Sequence, residues 1–317
     1  MRCGCGCGKI TSGGEFAPGH DARHRSHLLY RWRILGAVDA RDELRERNWF
    51  YHTDNRTFGV EIEFILIDGW NAEDLAGHMR GWGIDCRYTG YTHHTSAQWK
   101  IVTDSSLRAD GGGYGLELVS PILKGKAGRE ELTRVLEALN DAPVTVNRSC
   151  GLHIHLGASN LRMKDLKTLF IFYNQHEDLI DQMLPASRRG SGNQYCRSIN
   201  DIIQVIRQAR TLGGIFRNYN VDRYHKLNIL SYERHGTVEF RQHSGTTDPD
   251  KIIGWLDMAM AMVRISKYFE DGKVEYLTTA THAEMFDRLE IDNTTRDRWM
   301  RWIADRNPTG THHRRVI

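Results

Sequence analysis

Three short segments limit what this chain can fold into: FGVEIEF at 58–64, GLHIHLG at 151–157 and TVEFRQH at 237–243. On a β-strand, successive side chains point to opposite faces. As strands, the first sets Val60, Ile62 and Phe64 against Glu61 and Glu63, and the second sets Leu152, Ile154 and Leu156 against His153 and His155. The third sets Val238 and Phe240 against Glu239, Arg241 and His243. Each therefore offers an apolar stripe to a core and ionisable groups to the other side. So charged a face is not dry core, because an unpaired buried charge is too costly. It is a solvated surface or a cleft. Any one segment alone reads as surface, where an exposed Glu–Arg pair contributes only about 0–1 kcal/mol. Three together favour a cleft, and Gly59, Gly151, Gly157 and Gly236 at their ends mark turns or close approaches.

The periodicity elsewhere predicts helices over 28–48, 71–82, 127–140, 162–184, 199–212 and 249–270. The start signals are Asn71-Ala72 for the second and Asp248-Pro249 for the last. Further strands are expected at 85–89, 98–103 and 115–120, with one long strand or a strand pair over 143–156. Strands at 226–232 and 236–243 flank a turn at Glu233–His235, and 185–198 reads as a polar loop. Strands joined by turns, with helices to one side, predict an α+β fold with a mostly antiparallel twisted sheet and helices on one face. The organisation expected is a leader over 1–27, a catalytic domain over 28–270, and a helical extension with a basic tail over 271–317.

A chain of 317 residues, 40% of them hydrophobic, can bury a substantial core. It has no run near the roughly 20 apolar residues that a membrane span needs. The start MRCGCGCGKITSGGEF lacks the apolar centre of a secretory signal, so a cytoplasmic protein is expected. A net charge of +3 does not indicate nucleic acid as a partner. The six cysteines do not resemble a disulfide framework, since Cys3, Cys5 and Cys7 crowd together while Cys86, Cys150 and Cys196 are scattered. With His20, His24 and His27, the first three make the leader a candidate for Zn²⁺, although C-G-C-G-C is not the usual C-x-x-C spacing. The other reading of the leader is a flexible tail.

Glutamates that share a site with a histidine favour a hard cation, Mg²⁺ or Mn²⁺, over zinc. The stretch DSSLRADGGGYGLELVSP adds Glu117, flanked by Leu116 and Leu118 and so able to join the same face. Its Gly111–Gly113 run either lets backbone approach a phosphate or forms a surface hairpin, and it is not a P-loop because no G-K-[ST] follows.

Five motifs in order resemble the amidoligase family of carboxylate–amine ligases, relatives of glutamine synthetase and glutamate–cysteine ligase. They are FGVEIEF, DSSLRADGGGYGLELVSP, GLHIHLG, LPASRRGSGNQYC and LNILSYERHGTVEFRQHSGTTD, spread over roughly 58–265. The resemblance implies a glutamine-synthetase-like sheet whose concave face binds ATP and Mg²⁺ or Mn²⁺. It implies Glu61, Glu63, Glu117, His153 and Glu239 as metal ligands, with His155 nearer the nucleotide. Glu239 and Arg241 look like the family's E-x-R pair, a metal ligand and a phosphate-binding arginine at the catalytic centre. The basic residue of glutamine synthetase two positions earlier is Thr237 here, and its amino-acid and ammonia motifs have no counterpart.

The implied reaction is ATP-dependent joining of a carboxylate to an amine through an acyl phosphate, on small-molecule, peptide or protein substrates. Arg223 and Lys226 are candidates for nucleotide phosphates, and Arg188 and Arg189 for cofactor or an acidic substrate. Two other readings stay open: a metal-dependent hydrolase that activates water, and a non-enzymatic binding module docked through a zinc leader.

Overall fold

The computed structural model describes residues 1–50, 55–92, 94–109, 113–268 and 278–307. Much of the Gly111–Gly113 run, part of the expected C-terminal extension and its basic tail lie outside them. In chain order the elements are α1 (His20–Leu35), α2 (Val38–Glu46), β1 (Thr57–Leu66), α3 (Ala72–Gly81), β2 (Cys86–Tyr88), β3 (Trp99–Thr103) and β4 (Tyr114–Val119). There follow β5 (Leu123–Lys124), α4 (Gly125–Asn140), β6 (Val144–Thr145), β7 (Gly151–Gly157), α5 (Met163–Met183), α6 (Ile203–Gln208) and α7 (Leu212–Phe216). The last are β8 (Leu227–Asn228), α8 (Ser231–His235), β9 (Thr237–Ser244), α9 (Pro249–Ser266), α10 (His282–Leu289) and α11 (Asn293–Arg306).

The strands form one open sheet in the order β2-β3-β4-β1-β7-β9-β8, with β5 and β6 paired to the two ends of β1. Every pairing is antiparallel except β2 with β3. The fold is thus mixed α and β with a mostly antiparallel sheet. The alternating apolar residues do what their spacing requires: Val60, Ile62, Leu118, Leu152, Ile154, Val238 and Phe240 are buried. They join one core with Leu75 and Met79 of α3, Leu132 and Leu136 of α4, Leu169 and Phe172 of α5, and Trp255 of α9. The ionisable stripe is left facing the other way. Among the described residues, no helix is long and apolar enough to cross a membrane.

Helix starts follow the local signals. Asn71 accepts hydrogen bonds from the backbone N–H groups of Glu73 (2.8 Å) and Asp74 (3.1 Å), and the Asp74 carboxylate accepts one from the N–H of Asn71 (2.9 Å), a capping box. Asp248 caps α9 with Pro249 at its first position.

Four expectations need correction. The helix expected over 28–48 is two, and the first already begins at His20. Gly36 sits at φ +66°, and the N–H groups of Gly36 and Ala37 close on the carbonyls of Trp32 and Arg31, a left-handed stop. The strand expected over 226–232 shrinks to Leu227–Asn228. There the Asn228 side chain accepts from the N–H of Leu230 (2.8 Å), and the Ser231 hydroxyl donates to the carbonyls of Asn228 (3.1 Å) and Thr237 (2.7 Å). These local bonds turn the chain into α8 instead of continuing the ladder. The helix expected over 199–212 is broken into a 3₁₀ turn at Ile199–Asp201, then α6 and α7. Finally, His243 does not share the face of Glu239. The β7–β9 register shifts between Leu152 and Ile154, so His243 pairs with Leu152 and is buried beside Trp255, ring centres 5.4 Å apart. Burial there pushes its pKa down to about 3.

Leu152 on β7 has no exposed surface. Leu152→Ala should therefore lower the unfolding free energy by about 2–5 kcal/mol in a urea titration. Tyr219→Ala, at a side chain that is 91% exposed, should shift it by no more than about 0.5 kcal/mol. Equal, small shifts would contradict this core.

Candidate active site

Strand register assembles the charged face. On β1, Glu61 lies opposite His153 of β7 and Glu63 opposite Glu117 of β4. On β7, His155 lies opposite Glu239 of β9, which in turn faces Asn228 of β8. Glu61 Oε2 is 3.1 Å from His153 Nδ1, and Glu61 Oε1 is 3.2 Å from His155 Nε2. His153 Nε2 is 3.5 Å from Glu63 Oε1, while its Nδ1 is 3.7 Å from Glu239 Oε1. Two groups of donor atoms result, Glu61–His153–Glu239 and Glu63–Glu117–His153, each with its atoms within 4.8 Å of one another. The buried imidazole of His153 belongs to both.

These carboxylates are held in place. Glu63 Oε2 accepts the backbone N–H of Gly151 at 2.5 Å, and Asn228 donates to Glu239 Oε2 at 2.7 Å. Glu239 Oε1 also pairs with Arg241. A Cβ on Gly151 would lie 3.0 Å from His153 Nε2 and 3.3 Å from both Glu63 Oε2 and Arg188 Nη1. Glycine keeps that space open between three polar groups.

Burial opposes ionisation of Glu61, but His155 and His153 outweigh it and hold the carboxyl well below the usual range. Burial opposes Glu239 in the same way, and Arg241 and His155 hold it low. Burial also opposes protonation of His155, yet Glu239 and Glu61 raise its pKa to about 9. Glu117 has no such partner. Burial first, then the charges of Glu61, Glu63 and Asp104, push it well above the usual carboxylate value.

The cleft over this face encloses about 570 Å³ and is walled by loops as well as strands. Arg241 and buried Arg188 line it, the latter donating to the Cys150 carbonyl. Arg223 reaches the rim, exposed, with its guanidinium 4.9 Å above the Tyr224 ring. Lys226 and Arg189 do not line it. Lys226 lies before the two-residue β8, wholly buried, and its ammonium binds Glu177 (2.7 Å) and Asp181 (2.6 Å) on α5. Arg189 donates instead to the Leu184 carbonyl at 2.8 Å.

Sequence reasoning missed Lys100. It lies opposite Val119, as Glu61 does from the other side, so it shares the charged face. Its ammonium, buried, donates to the His94 carbonyl at 2.6 Å. Burial lowers its pKa against the pull of Glu117 and Glu61. The alternation of Trp99, Lys100 and Ile101 carried that signal. Asn228, Asn193 and Tyr195 also face the cleft; they lie within two of the quoted motifs, but neither charge nor alternation singles them out there.

The donor set suits a hard divalent cation, since carboxylate oxygens dominate and the imidazole is shared. Glu117 gives the independent reason: Lys100 on the same face does not outweigh its burial and the charges of Glu61, Glu63 and Asp104, and a bound cation would.

No curated protein matches the chain. A family model described as "putative amidoligase enzyme" matches residues 54–263, which contain every carboxylate and imidazole of the cleft. Across that span, about two thirds of its length, this chain belongs to the amidoligase family.

Proposed function

We propose that the chain is an ATP-dependent carboxylate–amine ligase with a glutamine-synthetase-like site, working through an acyl phosphate. The family supports amide-bond-forming ligation, and one observation carries the finer reading: two carboxylate groups share His153, with Arg241 beside them. Glu61, His153 and Glu239 would hold one Mg²⁺ or Mn²⁺, and Glu63, Glu117 and His153 would hold or border a second. Such ions would supply charge neutralisation on the nucleotide phosphates.

The side chains set the rest. A substrate carboxylate oxygen attacks the γ-phosphorus, and the bond to the ADP oxygen breaks. The amine nitrogen then attacks the acyl carbon, loses its proton, and inorganic phosphate departs. In both steps negative charge gathers on phosphoryl oxygens. Arg241, anchored by Glu239, presents its guanidinium one strand repeat from that carboxylate, roughly 6–7 Å along β9. It would bind those oxygens through two parallel N–H groups. His155, whose pKa Glu239 and Glu61 raise to about 9 when no metal is bound to them, lies beside it. Of the cations expected for nucleotide or an acidic substrate, Arg223 at the rim and Arg188 in the wall line the cleft, as does Arg234, while Lys226 is committed to Glu177 and Asp181. The six free cysteines fit the reducing, cytoplasmic setting of such an enzyme.

The test is incubation of the full chain with ATP, Mg²⁺, a panel of amino-acid and peptide carboxylates, and hydroxylamine. Hydroxamate formed in step with ADP supports the ligase. Amide hydrolysis without nucleotide would replace it with the hydrolase reading, and absence of ATP binding with either ion would reject both ligase and nucleotide.

Two variants follow. Arg241→Lys keeps the charge and loses the fork, so turnover should fall about 10²–10³-fold with ATP affinity nearly unchanged. Near-normal turnover would leave Arg241 only as the partner of Glu239. Glu117→Gln tests the cation. A raised carboxyl pKa means that ionisation penalises the folded state as pH rises above about 4, the unfolded value. Metal-free Glu117→Gln should therefore melt about 1–3 °C above the parent at neutral pH, with no difference at pH 3. In Mn²⁺ the order should reverse.

A further inference from the structure

The leader holds a second cluster, far in chemistry from the glutamate cleft. Cys3 Sγ is 3.3 Å from Cys5 Sγ, and His20 Nδ1 is 3.1 Å from Cys5 Sγ and 3.2 Å from Cys7 Sγ. The four ligand atoms all lie within 4.8 Å of one another. A tetrahedral zinc with Zn–S near 2.3 Å and Zn–N near 2.0 Å has edges of roughly 3.5–3.8 Å. The three short separations are within about half an ångström of those edges. We propose that Cys3, Cys5, Cys7 and His20 bind one Zn²⁺ and so fasten residues 1–19 to the helical hairpin of α1 and α2.

The structure chooses among the histidines. His24 Nε2 is engaged by Glu43 at 2.8 Å, and exposed His27 stands outside the cluster. His20 is the first residue of α1, so the fourth ligand is built into the helix that the leader must join. Cys3 is already arranged as a ligand: it is only 4% exposed, and the backbone N–H of Ala17 points to its sulfur at 3.3 Å. Such a donor steadies a thiolate that carries metal.

The leader also needs a fastener. Over residues 1–19 only Cys3 and Thr11 are buried. Its order rests on a bridge between Arg2 and Ile10, a few backbone bonds such as Cys3 N–H to the Lys9 carbonyl at 2.8 Å and Gly4 N–H to the Glu15 carbonyl at 2.7 Å, the half-exposed pair of Glu15 with Arg47 at 2.6 Å, and Phe16 beside the rings of His24 and Trp49. So little apolar burial does not hold a segment of that length, and metal is the usual substitute for a core. Beyond it the hairpin has its own small core of Leu28, Leu29, Trp32, Ala40, Leu44 and Phe50. Three thiolates and an imidazole select zinc over the hard cations suited to the cleft, and four protein ligands make the site structural.

The test uses the full chain purified reduced and without chelator. Elemental analysis should find about one zinc per chain. Replacement by Co²⁺ should give thiolate-to-cobalt charge-transfer absorption with intense tetrahedral bands, a signature that carboxylate ligands cannot produce. Removing the metal should make trypsin cut after Lys9 at least tenfold faster, and His24→Ala should retain zinc while Cys5→Ser and His20→Ala lose it. A zinc-free chain with a Cys3–Cys5 disulfide, or cobalt bound without the thiolate band, would overturn the proposal. The cobalt measurement needs no variant, so it stands even where Cys5→Ser misfolds.

Discussion

The antiparallel pairing of β1 with β4 on one side and β7 on the other is the constraint on which the rest depends. Its register sets Glu63 against Glu117 and Glu61 against His153. The same register buries Val60, Ile62 and Phe64 with Leu118 and Ile154. A slip by one residue would send the glutamates into the core and the apolar side chains into the cleft. Core packing therefore specifies the position of the site. The helices that cover the apolar face need not touch the cleft to fix its geometry.

That arrangement is electrostatically costly when no cation is bound. Glu61 and Glu239 are held ionised by His155, His153 and Arg241, whereas Glu117 is pushed toward its protonated form. A surface built only for stability would separate such carboxylates or pair each with an arginine. This sheet instead leaves Glu117 without a paired arginine, and Lys100 on the same face donates from its ammonium to the His94 carbonyl. A site whose balance improves when a multiply charged ion arrives is what metal-dependent phosphoryl chemistry requires.

Strand alternation made the sheet, its buried face and the main ligand candidates legible in the sequence, because period-two patterns report directly on side-chain direction. What stayed hidden depended on local bonds and irregularities. The β7–β9 bulge turns His243 into the core although its spacing matches Glu239. Asn228 and Ser231 end β8 through side-chain bonds to backbone, and Lys226, just before that strand, is taken up by Glu177 and Asp181 of α5. The choice of His20 over His24 rests on where α1 begins and on Glu43, a residue distant in sequence. Lys100 was readable in principle, but a single lysine between apolar neighbours looks like an exposed strand position until its partners are known.

The departure at Thr237 has a physical reading in the same terms. The resemblance to glutamine synthetase implies a basic residue at this place, and here the Thr237 hydroxyl lies 3.1 Å from His155 Nδ1. His155 also meets Glu61 through its other nitrogen, and its pKa is near 9, so the imidazolium is the cation in that corner. A second positive group at 237 would repel it and drive that pKa down. An uncharged hydroxyl instead accepts the Nδ1 proton and fixes the ring, which leaves Nε2 directed at Glu61 and Glu239. Thr237 on β9 thus leaves His155 on β7 as the positive group beside these carboxylates.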